Sequence, residues 1–104
     1  MLKQLVLTRK IAEKNKTLEE ARAKDAGFLE RKTALSTREG ELEVALNEAT
    51  TETTDEEKAA LEAEVAQHET DQQTLEAEEA EHEAAKRKLT EEIAELTSEL
   101  DALN

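Results

Sequence analysis

The chain has 104 residues, of which 39% are charged, with no proline, no cysteine and a single aromatic residue, Phe28. This composition excludes a layered globular core, disulfide bonds and cysteine-based catalytic or metal sites, and it suits long helices. The net charge of −13 argues against direct nucleic-acid binding, which requires clustered lysine and arginine.

The first predicted helix covers about residues 3–49. Its apolar residues recur at alternating steps of four and three, which is the repeat of a coiled coil. We call this line of positions the first seam. Polar residues interrupt the middle of the first seam at Asp25, Lys32 and Glu39. Its large apolar members are Leu7, Ile11, Leu18, Phe28, Leu35, Leu42 and Leu46.

A turn is predicted at about residues 50–54, in a threonine-rich stretch. Thr54 and Glu57 have the spacing of a capping box, in which a threonine side chain caps the start of a helix. Asp55 and Glu56 would lie at the positive end of that helix. The repeat of the first seam also loses phase here.

The second predicted helix covers about residues 55–103 and carries a second seam with the same spacing. Polar residues fill the middle of this seam, between Val65 and Leu89. Its large apolar members are Leu61, Val65, Leu75, Leu89, Ile93, Leu96, Leu100 and Leu103.

The two seams predict an all-α fold, a long antiparallel helical hairpin or coiled coil, as one domain over 1–104. Residues 1–38 hold ten basic and five acidic residues, whereas residues 39–104 hold four and twenty-two, so the two arms have opposite charge. Antiparallel pairing would place Arg31 by Glu78 and Arg38 by Asp71. A parallel pair of second helices would instead bring like charges together, so charge favours the hairpin.

The two histidines, His68 and His82, lie at seam positions, and Glu79 precedes His82 by three residues. Helical-bundle metal sites use this spacing, but on two helices with two further carboxylates. We interpret the histidines as a polar layer that fixes register, with pH sensing as an alternative, since they would face Glu39 and Asp25. No catalytic motif is present, and the sequence predicts no enzyme activity, no cofactor and no metal site.

Apolar residues at the start of the chain cover more than one helix face. This surplus predicts either a contact with another chain or simple packing at the helix end. The three-residue apolar run at 5–7 is too short for a signal-peptide core or a membrane span, so no membrane partner is expected. The basic triplet 86–88 is interpreted as a solvated face. The N-terminal residues concerned are Leu2, Leu5, Val6, Leu7 and Ile11.

The chain resembles the N-terminal scaffolding segment, or delta domain, of tailed-bacteriophage major capsid proteins. The resemblance covers the whole chain and is strongest at the basic, leucine-rich start and at the acidic hinge. The three similar stretches are MLKQLVLTRKIAEKNKTLEEARAKDAGFLERKTALSTREGELEVAL, TTDEEKAALEAEV and KRKLTEEIAELTSELDALN.

The resemblance implies a segment that precedes the capsid body, organises subunits in the immature shell and is removed by a phage protease before DNA is packaged. The implied partners are further copies of the chain or neighbouring capsid subunits, joined through coiled-coil contacts, and the maturation protease. The implied location is the host cytoplasm during assembly and then the interior of the immature capsid. No catalytic or binding residue is carried over.

The chain lacks the strand-rich capsid body, so it is expected to be either an excised segment or a free-standing relative.

Two other functional hypotheses remain open at this point. A stand-alone structural or adaptor coiled coil has the same composition as a capsid scaffold. A carboxylate bundle that binds metal is the third and weakest hypothesis, and it would require stoichiometric metal.

Overall fold

The computed structural model describes every residue from Met1 to Asn104 and contains helices but no strands. Helix α1 covers Leu2–Ala23, α2 covers Asp25–Glu48 and α3 covers Asp55–Leu103. The all-α prediction is therefore confirmed. None of the three helices has the unbroken apolar length that a membrane span would require.

The first predicted helix is not continuous, which corrects the prediction of one helix over about 3–49. It is interrupted at Lys24, whose backbone N–H donates to the carbonyl of Ala21 at 3.0 Å, in the tighter geometry of a 3₁₀ turn. Asp25 then opens α2, and its carboxylate suits the positive end of that helix. Asp25 and Gly27 both have low helix propensity, so continuing a single helix through this segment gains little.

The turn between α2 and α3 is held by threonine hydroxyl groups. The backbone N–H of Thr50 donates to Oγ1 of Thr53 at 2.9 Å, and the N–H of Thr53 donates to the carbonyl of Thr50 at 3.1 Å. Oγ1 of Thr54 accepts a hydrogen bond from the N–H of Glu57 at 3.1 Å, which is the N-cap that the sequence predicts. The chain thus leaves α2 and enters α3 with its backbone donors largely satisfied.

Helix α3 begins at Asp55 and ends at Leu103, the same bounds as in the sequence-based prediction. Three acidic residues occupy its first turn, where they interact favourably with the unpaired N–H groups. The four-three repeat continues through its 49 residues. Helix α3 contains no glycine and is rich in alanine, glutamate and leucine, which have high helix propensity, so it continues as a single helix.

The residues group into two compact units, which are described separately below. Unit 1 consists of 1–26 and 79–104, and unit 2 consists of 27–78. Each unit therefore contains a segment from residues 1–48, before the turn, and a segment of α3. The single domain over 1–104 stays a prediction.

Candidate functional site

In unit 1, parts of the first and second seams lie together, and we call them the seam of unit 1. It contains two buried leucines and a set of half-buried apolar side chains. Leu7 and Leu18 on α1 are 7% and 5% exposed. Leu103, also predicted for the seam, is 41% exposed at the end of α3. The remaining seam residues of this unit are half-buried: Ile11, Leu89, Ile93, Leu96 and Leu100.

Two polar contacts connect α1 with α3 near the chain ends. The side-chain amide of Gln4 donates to the carbonyl of Leu103 at 3.2 Å. Further along α1, the ammonium group of Lys14 forms an ion pair with Glu92. Hydrogen bonding by Lys14 holds the pKa of the Glu92 carboxyl below its ordinary value. Lys14 lies three residues after Ile11 and four before Leu18, so it occupies a position of the first seam, where this acidic partner accommodates it.

A network of charged side chains lies within unit 1, between Asp25 at the start of α2 and α3. Nε2 of His82 lies 2.7 Å from Oδ1 of Asp25, so these two residues contact each other as the predicted register implies. The ammonium group of Lys86 lies 2.8 and 3.0 Å from the two oxygens of Asp25 and 2.9 Å from Oε1 of Glu83. The Lys86 side chain is only 17% exposed, so it is not the solvated basic residue that the sequence suggested.

The pKa values in this network shift in the directions that the charges require. Hydrogen bonding to Lys86, and secondly to His82, holds the pKa of Asp25 below its ordinary value of 3.8. Hydrogen bonding to Asp25, and secondly to Glu83, holds the pKa of Lys86 above 10.5. Both groups are therefore charged at neutral pH. The sequence contains a signal for this network. Asp25 occupies a position of the first seam, and His82 and Lys86 occupy positions one turn apart in the second seam, which face Asp25 in the antiparallel register.

Asp25, His82 and Glu83 also have the residue types of a metal site. One potential ligand atom from each lies within 4.8 Å of the others. The ammonium group of Lys86, however, contacts both carboxylates and already supplies the neutralising cation. The structure therefore groups His82 with Asp25 and Glu83, whereas the sequence pattern paired it with Glu79. We interpret this group as an ion-pair network.

The seam of unit 2 contains Leu42 and Leu75 as its buried leucines, at 4% and 5% exposed. The predicted seam residue Leu46 is 48% exposed, and it lines the same groove as Leu42 and Val65. The half-buried apolar seam residues of this unit are Phe28, Leu35, Leu61 and Val65. The proposed interaction role of the seam residues in both units stays a prediction.

The covered face of α2 lies to one side of the predicted seam after Leu35. Arg38 and Ala45 are half-buried there, whereas Glu39 and Leu46 are exposed. Leu35, Leu42 and Ala49 stay seven residues apart, so the heptad repeat itself is not interrupted. The small residues Ala45 and Ala49 consequently line the same groove as Leu61.

Arginine residues on α2 form the ion pairs of unit 2. Arg31 pairs with Glu78, as predicted, and its guanidinium group lies 5.6 Å from the centre of the Phe28 ring. Arg38 pairs with Glu64 at 3.1 Å, and not with the predicted partner Asp71, so its side chain extends along α3 toward the turn. Asp71 instead accepts a hydrogen bond from the side chain of Gln67 on its own helix.

His68 is the buried polar residue of unit 2, with 6% of its surface exposed. Neither Nδ1 nor Nε2 of its ring has a hydrogen-bond partner. The predicted facing acid, Glu39, lines the same groove together with Leu42 and Val65. Since buried polar groups are normally paired, His68 is a point of local instability in the seam.

The N-terminal end of unit 1 exposes several large apolar side chains. Met1, Leu2, Leu5 and Val6 are 92%, 79%, 63% and 52% exposed. At 3.6 residues per turn, Leu2, Leu5 and Val6 lie on the face of α1 opposite Leu7. The partner helix that covers Leu7 therefore leaves this face open.

No family model, curated protein or solved structure matches the chain significantly.

Proposed function

We propose that the chain is a capsid-assembly scaffold, the N-terminal segment of a phage major capsid protein. In this role it organises subunits in the immature shell and is removed before DNA is packaged. The observation that carries the proposal is the apolar N-terminal face of α1, which no helix of the same chain covers. Such a segment holds neighbouring subunits by weak contacts, and many copies fixed to one shell gain avidity from their number.

Within this proposal α1 and α2 together pair with α3 of the same chain to form an antiparallel hairpin. The order of contacts in unit 1 supports this arrangement. Gln4 contacts Leu103, whereas Asp25 contacts Lys86. Residues with higher numbers before the turn therefore contact residues with lower numbers on α3, as in antiparallel pairing. In unit 2 the turn at 49–54 connects α2 directly to α3, and Arg38 on α2 pairs with Glu64 on α3.

The strong negative charge gives a physical reason for removing the segment before packaging. Residues 39–104 carry eighteen more acidic than basic side chains. An acidic lining inside a shell would repel the phosphate backbone of incoming DNA. A mutant with an uncleavable scaffold is therefore expected to package DNA poorly. Normal packaging by that mutant would contradict charge repulsion as the reason for removing the segment.

A stand-alone structural or adaptor coiled coil is the alternative function. The paired seams and the exposed apolar face support it equally, because an adaptor also joins its partners through helix faces. The two functions differ in whether a capsid body is made in the same polypeptide and later separated from the scaffold.

The test is the mass of the product from the complete native reading frame, measured before and after particle maturation. The scaffold proposal predicts a product several times heavier than 11.6 kDa that loses this segment during maturation. A mature product of 11.6 kDa from the start would contradict the scaffold proposal and favour the adaptor.

A further inference from the structure

We propose that the exposed N-terminal face of α1 docks on the outer face of α3 in a second copy of this chain. This proposal deepens the scaffold function above by naming the partner of the apolar end. The N-terminal face consists of Leu2, Leu5, Val6 and Arg9. The outer α3 face consists of the exposed residues Glu91, Ala94, Glu95, Ser98, Asp101 and Ala102.

The shapes of the two faces are complementary. The N-terminal face projects three large apolar side chains, which lie on one side of the first two turns of α1. The outer α3 face has alanine or serine at its centre, so its backbone is accessible to projecting side chains. Large residues against small residues are the arrangement by which helices pack ridges into grooves.

The charges of the two faces are also complementary. The first twelve residues contain three basic side chains and no acid, and they include the terminal ammonium group and the positive end of α1. Residues 91–104 contain five acidic side chains and no base, at the negative end of α3. Opposite charges around an apolar contact favour this partner over one with a basic surface.

The arrangement follows from the positions of the faces within unit 1. Each face lies on the side of its helix opposite the seam, so both faces of one copy remain available at once. Docking α1 of one copy on α3 of another is a heterologous contact, which leaves a free face at each end of the pair. Association therefore continues beyond a dimer as the concentration rises.

Sedimentation equilibrium of the 104-residue chain at low salt tests the proposal, from micromolar to sub-millimolar concentration. We expect the weight-average mass to rise from 11.6 kDa to beyond two chains. A constant mass of one chain would overturn the proposal, and a mass that saturates at a dimer would overturn the heterologous arrangement. Neither outcome depends on whether a capsid body exists, so this proposal and the scaffold function can fail separately.

Matched variants identify the faces. Leu5→Gln combined with Val6→Gln should weaken association by about tenfold, which corresponds to about 1.4 kcal/mol. Leu29→Gln combined with Val44→Gln is the control, because these two residues are similarly exposed, at 65% and 55%, but lie in unit 2. Equal association of both variants would overturn the assignment of the N-terminal face. Unchanged far-UV circular dichroism verifies that each variant is folded.

A charge reversal with rescue identifies the acidic face. Arg9→Glu should weaken association because it places an acid against the outer α3 face. Adding Glu95→Arg to the same chain restores an opposite charge across the contact and should recover most of the association. Failure of the second change to rescue the first would overturn docking on α3.

Discussion

Replacing His68 by leucine should stabilise the protein. The imidazole ring is buried in the seam of unit 2, and both of its nitrogens lack a hydrogen-bond partner. A neutral imidazole has one donor and one acceptor, so both are desolvated without compensation. Leucine has no polar atom to desolvate, and it occupies similar space beside Leu42 and Val65.

The size of the effect follows from the two unpaired groups. An unsatisfied buried donor or acceptor costs about 1–3 kcal/mol. We therefore expect His68→Leu to raise the free energy of unfolding by about 1–3 kcal/mol. This corresponds to an increase in Tm of about 4–8 °C per kcal/mol for a domain of this size.

Urea unfolding followed by far-UV circular dichroism measures this change at neutral pH. His82→Leu is the matched control, because His82 has a partner in Asp25 at 2.7 Å. Losing that partner should lower stability by about 0.5–1 kcal/mol. If His68→Leu were as destabilising as His82→Leu, the conclusion that His68 is an unsatisfied buried group would be refuted.

Three further predictions concern the turn, a glycine and the charged network. Thr54→Ala removes the N-cap of α3 and should lower stability by about 1 kcal/mol in the same urea assay, whereas the exposed neighbour Thr51→Ala should not. Gly40→Ala should raise stability by about 0.5–1 kcal/mol, since an added Cβ meets no atom within 4 Å; a loss of stability would contradict this. Because the pKa of folded Asp25 is lowered, its contribution is present above its unfolded pKa and is lost as the pH falls through the folded value. Because the pKa of folded Lys86 is raised, its contribution is present below its unfolded pKa and is lost as the pH rises through the folded value. Asp25→Asn should therefore reduce the dependence of Tm on pH below about 4 and above about 10.5, and an unchanged profile would argue against the network.

The features that the sequence predicts well are those set by local patterns. The Thr54 cap needs only a hydroxyl group and an N–H three residues later, and the structure contains this bond. Helix α3 extends from Asp55 to Leu103 because it contains no glycine and is rich in residues of high helix propensity. The pairing of Asp25 with His82 follows from counting along both seams, because each residue occupies a seam position and only the register has to be right.

The features that the sequence does not predict arise where the conformational preference of a short segment competes with the packing of its helix against the facing helix. The interruption at Lys24 keeps the heptad phase, so a count of apolar residues cannot detect it. In α2 Ala45 is more covered than Leu46, a less apolar choice that a pattern of hydrophobic residues would not favour. Arg38 reaches Glu64 instead of Asp71, because a long, flexible side chain can reach more than one turn of the facing helix.

A distance measurement within one chain tests the proposed hairpin most directly. The protein has no cysteine, so Thr8→Cys and Thr97→Cys would supply the only sites for spin labels, both at exposed positions of unit 1. Pulsed electron paramagnetic resonance on labelled chains diluted into unlabelled protein reports the intrachain separation. Antiparallel pairing in one chain predicts a distance below about 30 Å, since packed helix axes lie about 8–10 Å apart. Arms that separate to pair with other chains would place the labels more than about 100 Å apart, and loss of the short distance on dilution would contradict the hairpin.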